Sequence, residues 1–332
     1  VFANAVFASI TGISIASATV FSRIAVPEMR RHGYTRSFST GVVAGSSVLG
    51  MLIPPSLLLI VYAVLAEQSV GRMFLAGVGP GLLLSIAFSV TILLLASTRR
   101  HSVFETARDD AGYEHFSTLE LLRKLVPIVT LMVVVLGGLY GGFLNPTEAG
   151  AAGAFGALFI ALLRRSLDRS TFWRLLVETG QITVSVLFLI LAATFFSRML
   201  ALSGVPRELA EYFLSGGIGP YGFLLAYILL IIALGCLIDS ISIMLITLPI
   251  ALPVAGAAGF DMIWFGVVTV IAVEIGLLTP PFGLSVYTIK SAMDDPDLKV
   301  GEIFRGAVPF ILAILVTLAI IVAFPAVATW LA

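Results

Sequence analysis

The sequence predicts an all-α protein that crosses a lipid bilayer several times, with two of its helices broken. Of its 332 residues, 59% are hydrophobic and only 11% are charged. The mean hydropathy is +1.09, far from the composition of a soluble globular domain. Two membrane-length apolar runs each carry a Pro-Pro pair near the middle, at 54–55 and 280–281. Proline removes a backbone donor, and lipid offers no water to replace it. These observations predict helices that break inside the bilayer.

Composition and motifs exclude several other classes of protein. The formal net charge is zero, so there is no basic field for nucleic acid. The single cysteine, Cys236, rules out an internal disulfide framework and a CxxC metal site. The chain lacks the H-E-x-x-H, G-x-S-x-G, Walker and G-x-G-x-x-G motifs, which favours a protein that is not an enzyme. It begins at Val1 rather than at a methionine, and we expect a missing N-terminal segment.

The membrane elements follow from apolar runs of about 20 residues bounded by charges or turns. The runs at 1–26 and 221–256 are interrupted by small and polar residues, which predicts two re-entrant hairpins. Two further runs are split by their proline pairs and predict broken spans at 37–65 and 263–289. Uninterrupted spans are predicted at 75–98, 125–144, 179–197 and 306–331, with a shorter helix at 147–163.

Basic residues then set the orientation of the predicted spans. Arginine and lysine cluster in four connections, near 23–36, 99–124, 164–174 and 290–305. If each hairpin enters and leaves the bilayer on the same side, without crossing it, all four basic connections fall on one face of the membrane. We expect this face to be cytoplasmic. The stretch Asn145-Pro146-Thr147-Glu148 predicts the start of a helix, because proline suits the first helical position and an early glutamate suits the N-terminus.

The chain contains an internal repeat. The hexapeptide 50–55, GMLIPP, aligns with 276–281, GLLTPP, and each is preceded by a hairpin and followed by a span opening with V-G-x-x-F. The topology places the two hairpins on opposite faces, so the repeats are inverted. Inverted repeats with discontinuous helices are the layout of secondary transporters. We therefore expect two transport units, 1–65 and 221–289, joined by connecting helices at 66–220 and followed by a C-terminal scaffold helix at 290–332.

Several stretches resemble the large membrane subunit of TRAP (tripartite ATP-independent periplasmic) transporters. The resemblance rests on PEMRRHGY, GSSVLGMLIPPSLLLIVYAV, NPTEAGAAGAFGAL, LGCLIDSISIMLITLPIALPV and FGVVTVIAVEIGLLTPPFGL. It implies an elevator-type carrier that uses sodium as its coupling ion, with no other cofactor, to take up an organic anion: a dicarboxylate, keto acid or sugar acid. It also implies a small membrane subunit, a periplasmic substrate-binding protein and the inner membrane of a bacterium or archaeon.

The resemblance and the repeat together give the candidate ion and substrate site. Its first part comprises Gly12, Ser14, Ser17, Gly50, Ile53, Pro54, Pro55 and Ser56. Its second part comprises Gly235, Asp239, Gly276, Thr279, Pro280, Pro281 and Gly283. The side-chain candidates for sodium are Ser14, Ser56, Asp239 and Thr279.

Some assignments have two readings at the level of sequence. Asp239 either binds sodium or caps the second helix of its hairpin. Glu274, two residues before Gly276, either pairs inside the protein or approaches the ion site. For the whole chain, the alternative is a stand-alone sodium/organic-anion symporter of related fold that needs no binding protein.

Overall fold

The computed structural model describes residues 1–105, 126–127 and 129–332. Over this part of the chain the regular structure is helical, with one isolated bridge between Tyr34 and Phe104. The first helices are α1 (Phe2–Thr11), α2 (Ser14–Arg31), α3 (Arg36–Ser47), α4 (Leu49–Leu52), α5 (Leu57–Leu65), α6 (Val70–Thr98) and α7 (Arg100–Val103). Next come α8 (Val129–Tyr140), α9 (Pro146–Leu163), α10 (Arg169–Ser203) and α11 (Val205–Ser215). The last are α12 (Gly219–Gly235), α13 (Ser240–Ala257), α14 (Met262–Leu278), α15 (Leu284–Met293), α16 (Val300–Ala323) and α17 (Ala326–Thr329).

The predicted membrane character is confirmed. Among the described residues, five helices are long and apolar enough to cross a membrane, and a bent pair makes a sixth. The five are α6, α9, α10, α13 and α16. The chain divides into two compact units, one of Val1–Gly112 with Gly204–Ala332 and one of Tyr113–Ser203.

Both predicted breaks fall at the proline pairs. The first span bends by 41° between its two halves, Arg36–Leu52 and Leu57–Leu65. In the second, α14 ends at Leu278 and α15 begins at Leu284. Both Pro-Pro peptide bonds are cis. Proline cannot donate to the helical ladder, so the chain leaves the helix where the sequence places the pairs.

Each predicted hairpin region folds as two helices joined by a short turn. In the first, α1 and α2 are joined at Gly12-Ile13, and the rings of Phe7 and Phe21 meet edge to face at 5.6 Å. In the second, α12 and α13 are joined by 236–239. The turns are short because Gly12 takes a left-handed backbone with φ of +61° and Asp239 starts α13 as its N-cap.

The helices that lead into the two breaks lie deep inside the first unit. Every residue of α14 from Ile263 to Leu278 is buried, as is every residue from Phe38 to Leu52. Non-helical backbone is tolerated at membrane depth only where protein or a cavity surrounds it. The first break, with Pro54 and Ser56 buried, sits where such backbone is tolerated, whereas Pro280, Pro281 and Phe282 of the second break are exposed.

Two other helices pack closely on the first broken span. Gly41 of α3 meets the backbone of Gly306 in α16, where neither residue leaves room for a side chain. A Cβ on Gly77 of α6 would lie 2.5 Å from the carbonyl oxygen of Leu52. The indole nitrogen of Trp264 donates to the Ile321 carbonyl at 2.9 Å, which fastens α14 to α16.

The C-terminal run is not one helix. The span predicted at 306–331 ends at Ala323, and α17 follows as a separate turn. Pro325 explains the end, because it has no N–H and disfavours helix in the residue before it. The span predicted at 125–144 is helical over Val129–Tyr140, with a π-helical turn at Val133–Gly137. The basic connection predicted at 99–124 lies outside the described residues beyond Glu105.

The helix start predicted at residue 145 is confirmed. The Asn145 side chain accepts from the Glu148 nitrogen at 2.9 Å, and the Glu148 carboxylate accepts from the Asn145 nitrogen at 2.8 Å. This reciprocal capping box, with Pro146 at the first helical position, satisfies two donors that the helix cannot. Asn145 and Glu148 therefore serve the start of α9.

Candidate functional site

The first hairpin turn packs directly on the first break, and we call this contact junction one: Gly12–Ser14 against Gly50–Leu57. The Leu57 nitrogen donates to the Gly12 carbonyl at 3.2 Å. A Cβ on Gly12 would lie 2.7 Å from the Pro55 carbonyl oxygen, and one on Gly50 would lie 3.3 Å from the Ser14 nitrogen. Two glycines thus allow the main chains of the hairpin and the broken span to meet.

Junction one is rich in oxygen atoms. Pro54 and Pro55 have no N–H, so the carbonyls of Gly50 and Met51 lose their helical donors. The hydroxyl of Ser56, fully buried, donates to the Met51 carbonyl and accepts from the Leu59 nitrogen at 3.3 Å. A hydroxyl that donates its hydrogen still has an acceptor lone pair. Carbonyl and hydroxyl oxygens are the ligands that hard cations prefer.

A buried polar network binds hairpin one to α3. The Ser17 hydroxyl donates to the Asn4 side-chain oxygen, and the Asn4 amide donates to the Ser46 hydroxyl at 2.6 Å. All three side chains are almost fully buried. Ser17, predicted as a ligand, is thus a member of this network. Sequence reasoning missed Asn4 and Ser46; a lone Asn in an apolar run is a signal that could have shown Asn4, whereas no local signal marks Ser46.

Ile53 contributes backbone rather than side chain to the break. It has an extended backbone, and its Cγ1 lies 2.8 Å from the position of a Cβ on Gly81 in α6. The side chain of Ile53 therefore fills a gap against α6.

The second hairpin packs on the second broken span, and we call this contact junction two: 232–239 against 273–283. A Cβ on Gly235 would lie 2.7 Å from the Cα of Gly276, and one on Gly276 would lie 2.9 Å from the Ile232 carbonyl oxygen. The Thr279 hydroxyl donates to the Ile275 carbonyl at 2.6 Å, while its nitrogen donates to Gly276 at 3.0 Å. Pro280 and Pro281 have no N–H to continue the ladder.

The segment after the second proline pair turns sharply. Gly283 has a left-handed backbone with φ of +51° and lies against the ring of Phe304, which would be 2.8 Å from a Cβ there. Its carbonyl accepts from Val286, which starts α15. Pro280 and Pro281 themselves are both exposed.

Asp239 caps a helix. Its carboxylate accepts from the Ser242 nitrogen at 3.0 Å and from the Ser242 hydroxyl at 2.5 Å, and its side chain is exposed. Of the two readings of Asp239, capping is thus observed directly. Asp239 and Thr279, the two sodium candidates of junction two, each have a partner within their own helix.

Glu274 joins the two repeats. It is fully buried, and its Oε1 accepts from the Ser14 hydroxyl at 3.3 Å. Ser14 is therefore held by a residue of the second repeat as well as by the first hairpin.

The comparisons with known proteins decide the family. The family described as "Tripartite ATP-independent periplasmic transporter, DctM component" matches residues 1–327. The chain belongs to this family. It is 35% identical over 328 residues to the C4-dicarboxylate TRAP transporter large permease protein DctM of Pseudomonas aeruginosa, covering 98% of this chain and 75% of that protein.

Two further relatives are named for other substrates. The sialic acid TRAP transporter large permease protein SiaM of Vibrio cholerae is 32% identical, covering 98% of this chain and 74% of that protein. The ectoine TRAP transporter large permease protein TeaC of Halomonas elongata is 30% identical, with 98% and 74% covered. The resemblance to the TRAP large subunit is confirmed, and the chain is a TRAP large permease.

Proposed function

We propose that this TRAP large permease carries out sodium-coupled uptake of an organic anion. The observation that carries the proposal is the pair of junctions at which a hairpin packs, through glycine, on a helix broken by Pro-Pro. Such sites, near the middle of discontinuous helices in inverted repeats, are where secondary transporters bind ion and substrate. The relatives named for C4-dicarboxylate, sialic acid and ectoine support an organic acid as the substrate.

Sodium suits the oxygen atoms of the two junctions. At junction one the proposed ligands are the carbonyls freed by Pro54 and Pro55, with the hydroxyls of Ser14 and Ser56. At junction two they are the carbonyls freed by Pro280 and Pro281, with Thr279 and Asp239. Carbonyl ligands hold a cation without adding a fixed charge to a low-dielectric interior.

The anion follows from the same arrangement. The helices α2, α5, α13 and α15 all begin beside a hairpin turn or a break, and helix N-termini favour negative charge. Two bound sodium ions would offset the cost of removing a carboxylate from water. We propose that the anion, a dicarboxylate, keto acid or sugar acid, binds between the two junctions.

We propose that the hairpins and broken spans move as one body in an elevator mechanism. The repeats are connected at Ser14–Glu274 and by Arg23 Nε, which donates to the Ala292 carbonyl at 3.0 Å. Because α6 and α16 meet the first broken span at the backbone, we include them in this body, although the sequence alone placed them in scaffold regions.

Crosslinking tests the moving body. With Cys236 replaced by serine, a thiol crosslink between positions 23 and 292 should leave uptake intact, since both belong to the body. Crosslinks from the body to α9 or α10, found by a cysteine scan, should each trap one state and stop uptake. Uptake that survives every crosslink of the second kind would contradict the elevator.

The proposal includes partners that the family implies. A small membrane subunit and a periplasmic binding protein would work with the chain in the inner membrane of a bacterium or archaeon. The binding protein would dock on the face with few cations, near 66–72, 204–219 and 257–262. The exposed apolar side chains of α9 and α10, among them Phe155, Phe159 and Phe188, suit lipid and the small subunit.

Uptake by proteoliposomes tests the function. With both membrane subunits and the binding protein present, an inward sodium gradient should drive accumulation of the anion, and replacing sodium by choline should abolish it. Sodium-independent uptake would contradict the proposal. Full-rate uptake without the binding protein would favour the stand-alone symporter.

A further inference from the structure

Glu274 has a carboxylate oxygen that nothing in the described structure satisfies. The residue is fully buried in α14, and Ser14 bonds only to Oε1, at the long distance of 3.3 Å. Oε2 has no hydrogen-bond partner among the described residues. Nearly all buried polar atoms of native proteins are paired, so an unpaired carboxylate oxygen indicates a missing ligand.

Among the residues that the structure describes, no ion pair reaches Glu274. The ion pairs of the described residues lie elsewhere, at Arg30–Glu105, Arg36–Asp295, Arg207–Glu211 and around Glu28. The residues beside Glu274 on its own helix, Val273 and Ile275, are apolar and buried. An ionised carboxylate in such a place is stable only when a cation offsets its charge.

A second unsatisfied oxygen lies on the other side of the same break. Among the described residues, Ser285 Oγ is the one other buried side-chain polar atom without a partner. Glu274 precedes the second proline pair and Ser285 follows it, at the start of α15. Both halves of the second broken span thus carry an unsatisfied buried side-chain oxygen.

Glu274 also lies between the two junctions. Through Ser14 it reaches junction one, where the Ser14 nitrogen lies 3.3 Å from a Cβ position on Gly50. Two residues further along α14, Gly276 contacts Gly235 in junction two. A cation held by Glu274 would therefore lie close to both hairpins.

We infer that Glu274 is the charged ligand of a monovalent cation site, filled by a sodium ion of its own, that bridges the two repeats and shares Ser14 with junction one. The Ser14 hydroxyl is its second ligand, and Ser285 is assigned to it as a third. The inference rests on the proposed sodium coupling.

The site has a consequence for the transport cycle. With sodium bound, Glu274 and its ion are neutral together, and the loaded body can cross. Without sodium, the carboxylate has no countercharge in a low-dielectric interior, so a body that holds the anion but lacks this ion crosses at a higher cost.

The first measurement is the number of sodium ions per anion. It uses the reversal potential of uptake by the full complex in proteoliposomes, with Glu274→Gln beside wild type. The glutamine keeps the shape and removes the charge, and it should move one sodium ion fewer per anion. The same number of sodium ions per anion in wild type and Glu274→Gln would overturn the inference. Proton movement by the wild type that is absent in Glu274→Gln would also overturn it.

The second measurement does not depend on transport. Sodium should raise the melting temperature of the purified membrane subunits, and Glu274→Gln should reduce that rise. Ser14→Ala and Ser285→Ala should each raise the half-maximal sodium concentration about fivefold, the effect of one lost neutral contact. Thr317→Ala, which removes a buried hydroxyl bonded within α16, is the control and should leave it unchanged.

The outcomes separate this inference from the proposed function. Sodium-independent uptake by the wild type would contradict the proposed function itself. Sodium-dependent wild-type uptake with unaltered sodium binding in Glu274→Gln would overturn the Glu274 site alone. If Glu274→Gln does not fold, Ser285→Ala decides, since Ser285 is assigned to this site only, and an unchanged half-maximal sodium concentration in that variant overturns the site.

Discussion

Gly235 and Gly276 touch through their backbones, with 2.7 Å between the Cα of Gly276 and the position that a Cβ on Gly235 would occupy. The contact brings the end of α12 onto the last turns of α14, just before the second proline pair. Neither residue can accept a side chain unless one of the two main chains moves. The position of the second hairpin on its broken span thus depends on glycine at both positions, because even the methyl group of alanine would not fit.

Adding a methyl group at this contact should therefore impair transport. Gly235→Ala and Gly276→Ala should each destabilise the contact by roughly 1–3 kcal/mol, the range for overpacking, and reduce uptake at least severalfold. Gly256→Ala is the control, because it lies on α13 of the same hairpin with nothing within 4 Å of a Cβ. Equal uptake by all three variants would show that the close contact is unimportant.

Gly12 offers a similar test at junction one, with two effects that can be separated. Gly12→Ala should lose uptake both because its φ is +61° and because a Cβ meets the Pro55 carbonyl; left-handed backbone alone costs a non-glycine residue about 1–2 kcal/mol. Gly217→Ala has the same backbone cost, with φ of +84° and open space around it. Initial uptake rates at matched expression make the comparison, and a similar fall in both variants would leave no role for the contact with Pro55.

The two roles of Asp239 can be distinguished by charge. Asparagine caps helices as well as aspartate does, while alanine costs about 1 kcal/mol. If Asp239 binds sodium at junction two, Asp239→Asn should raise the sodium concentration for half-maximal uptake while keeping the melting temperature. If it serves only as a cap, Asp239→Asn should behave like wild type, and Asp239→Ala alone should be less stable.

The breaks themselves should set the sodium dependence of uptake. Pro54→Ala/Pro55→Ala restores two N–H donors, which lets the helix close over the Gly50 and Met51 carbonyls and should abolish coupling. Ser56→Ala and Thr279→Ala should each raise the half-maximal sodium concentration, by about fivefold if each loses one neutral ligand.

The control for these variants is Thr288→Ala. Like the hydroxyl of Thr279, the hydroxyl of Thr288 donates to the carbonyl four residues earlier, at 2.8 Å, but it does so within α15. Uptake against sodium concentration is the measurement. Wild-type sodium dependence in the proline, Ser56 and Thr279 variants would show that the breaks do not bind the coupling ion.

Local features of this fold could be predicted from the sequence because they depend on neighbours along the chain. Proline pairs end helices wherever they stand, and Asn145-Pro146 with Glu148 specifies its capping box within four residues. The turn at Gly12 is likewise a local feature. The repeat could be recognised because both halves use the same local device.

Contacts between distant residues could not be predicted. Nothing near Asn4 indicates that its amide meets Ser46, and Ser14 and Glu274 lie 260 residues apart. The close approach of α16 to α3 depends on Gly41 and Gly306 facing each other, which the helical period of either segment does not reveal. The sequence therefore placed α6 with the connecting helices and α16 in the C-terminal scaffold, although both pack on the first broken span.

The bond between the Leu57 nitrogen and the Gly12 carbonyl consists of main chain alone. No side chain takes part, so mutations at neighbouring positions can change the side chains around junction one while this bond persists. Selectivity and architecture can then evolve independently. That independence offers a reason why permeases that each share roughly one residue in three with this chain carry names as different as those of a C4-dicarboxylate, a sialic acid and an ectoine transporter.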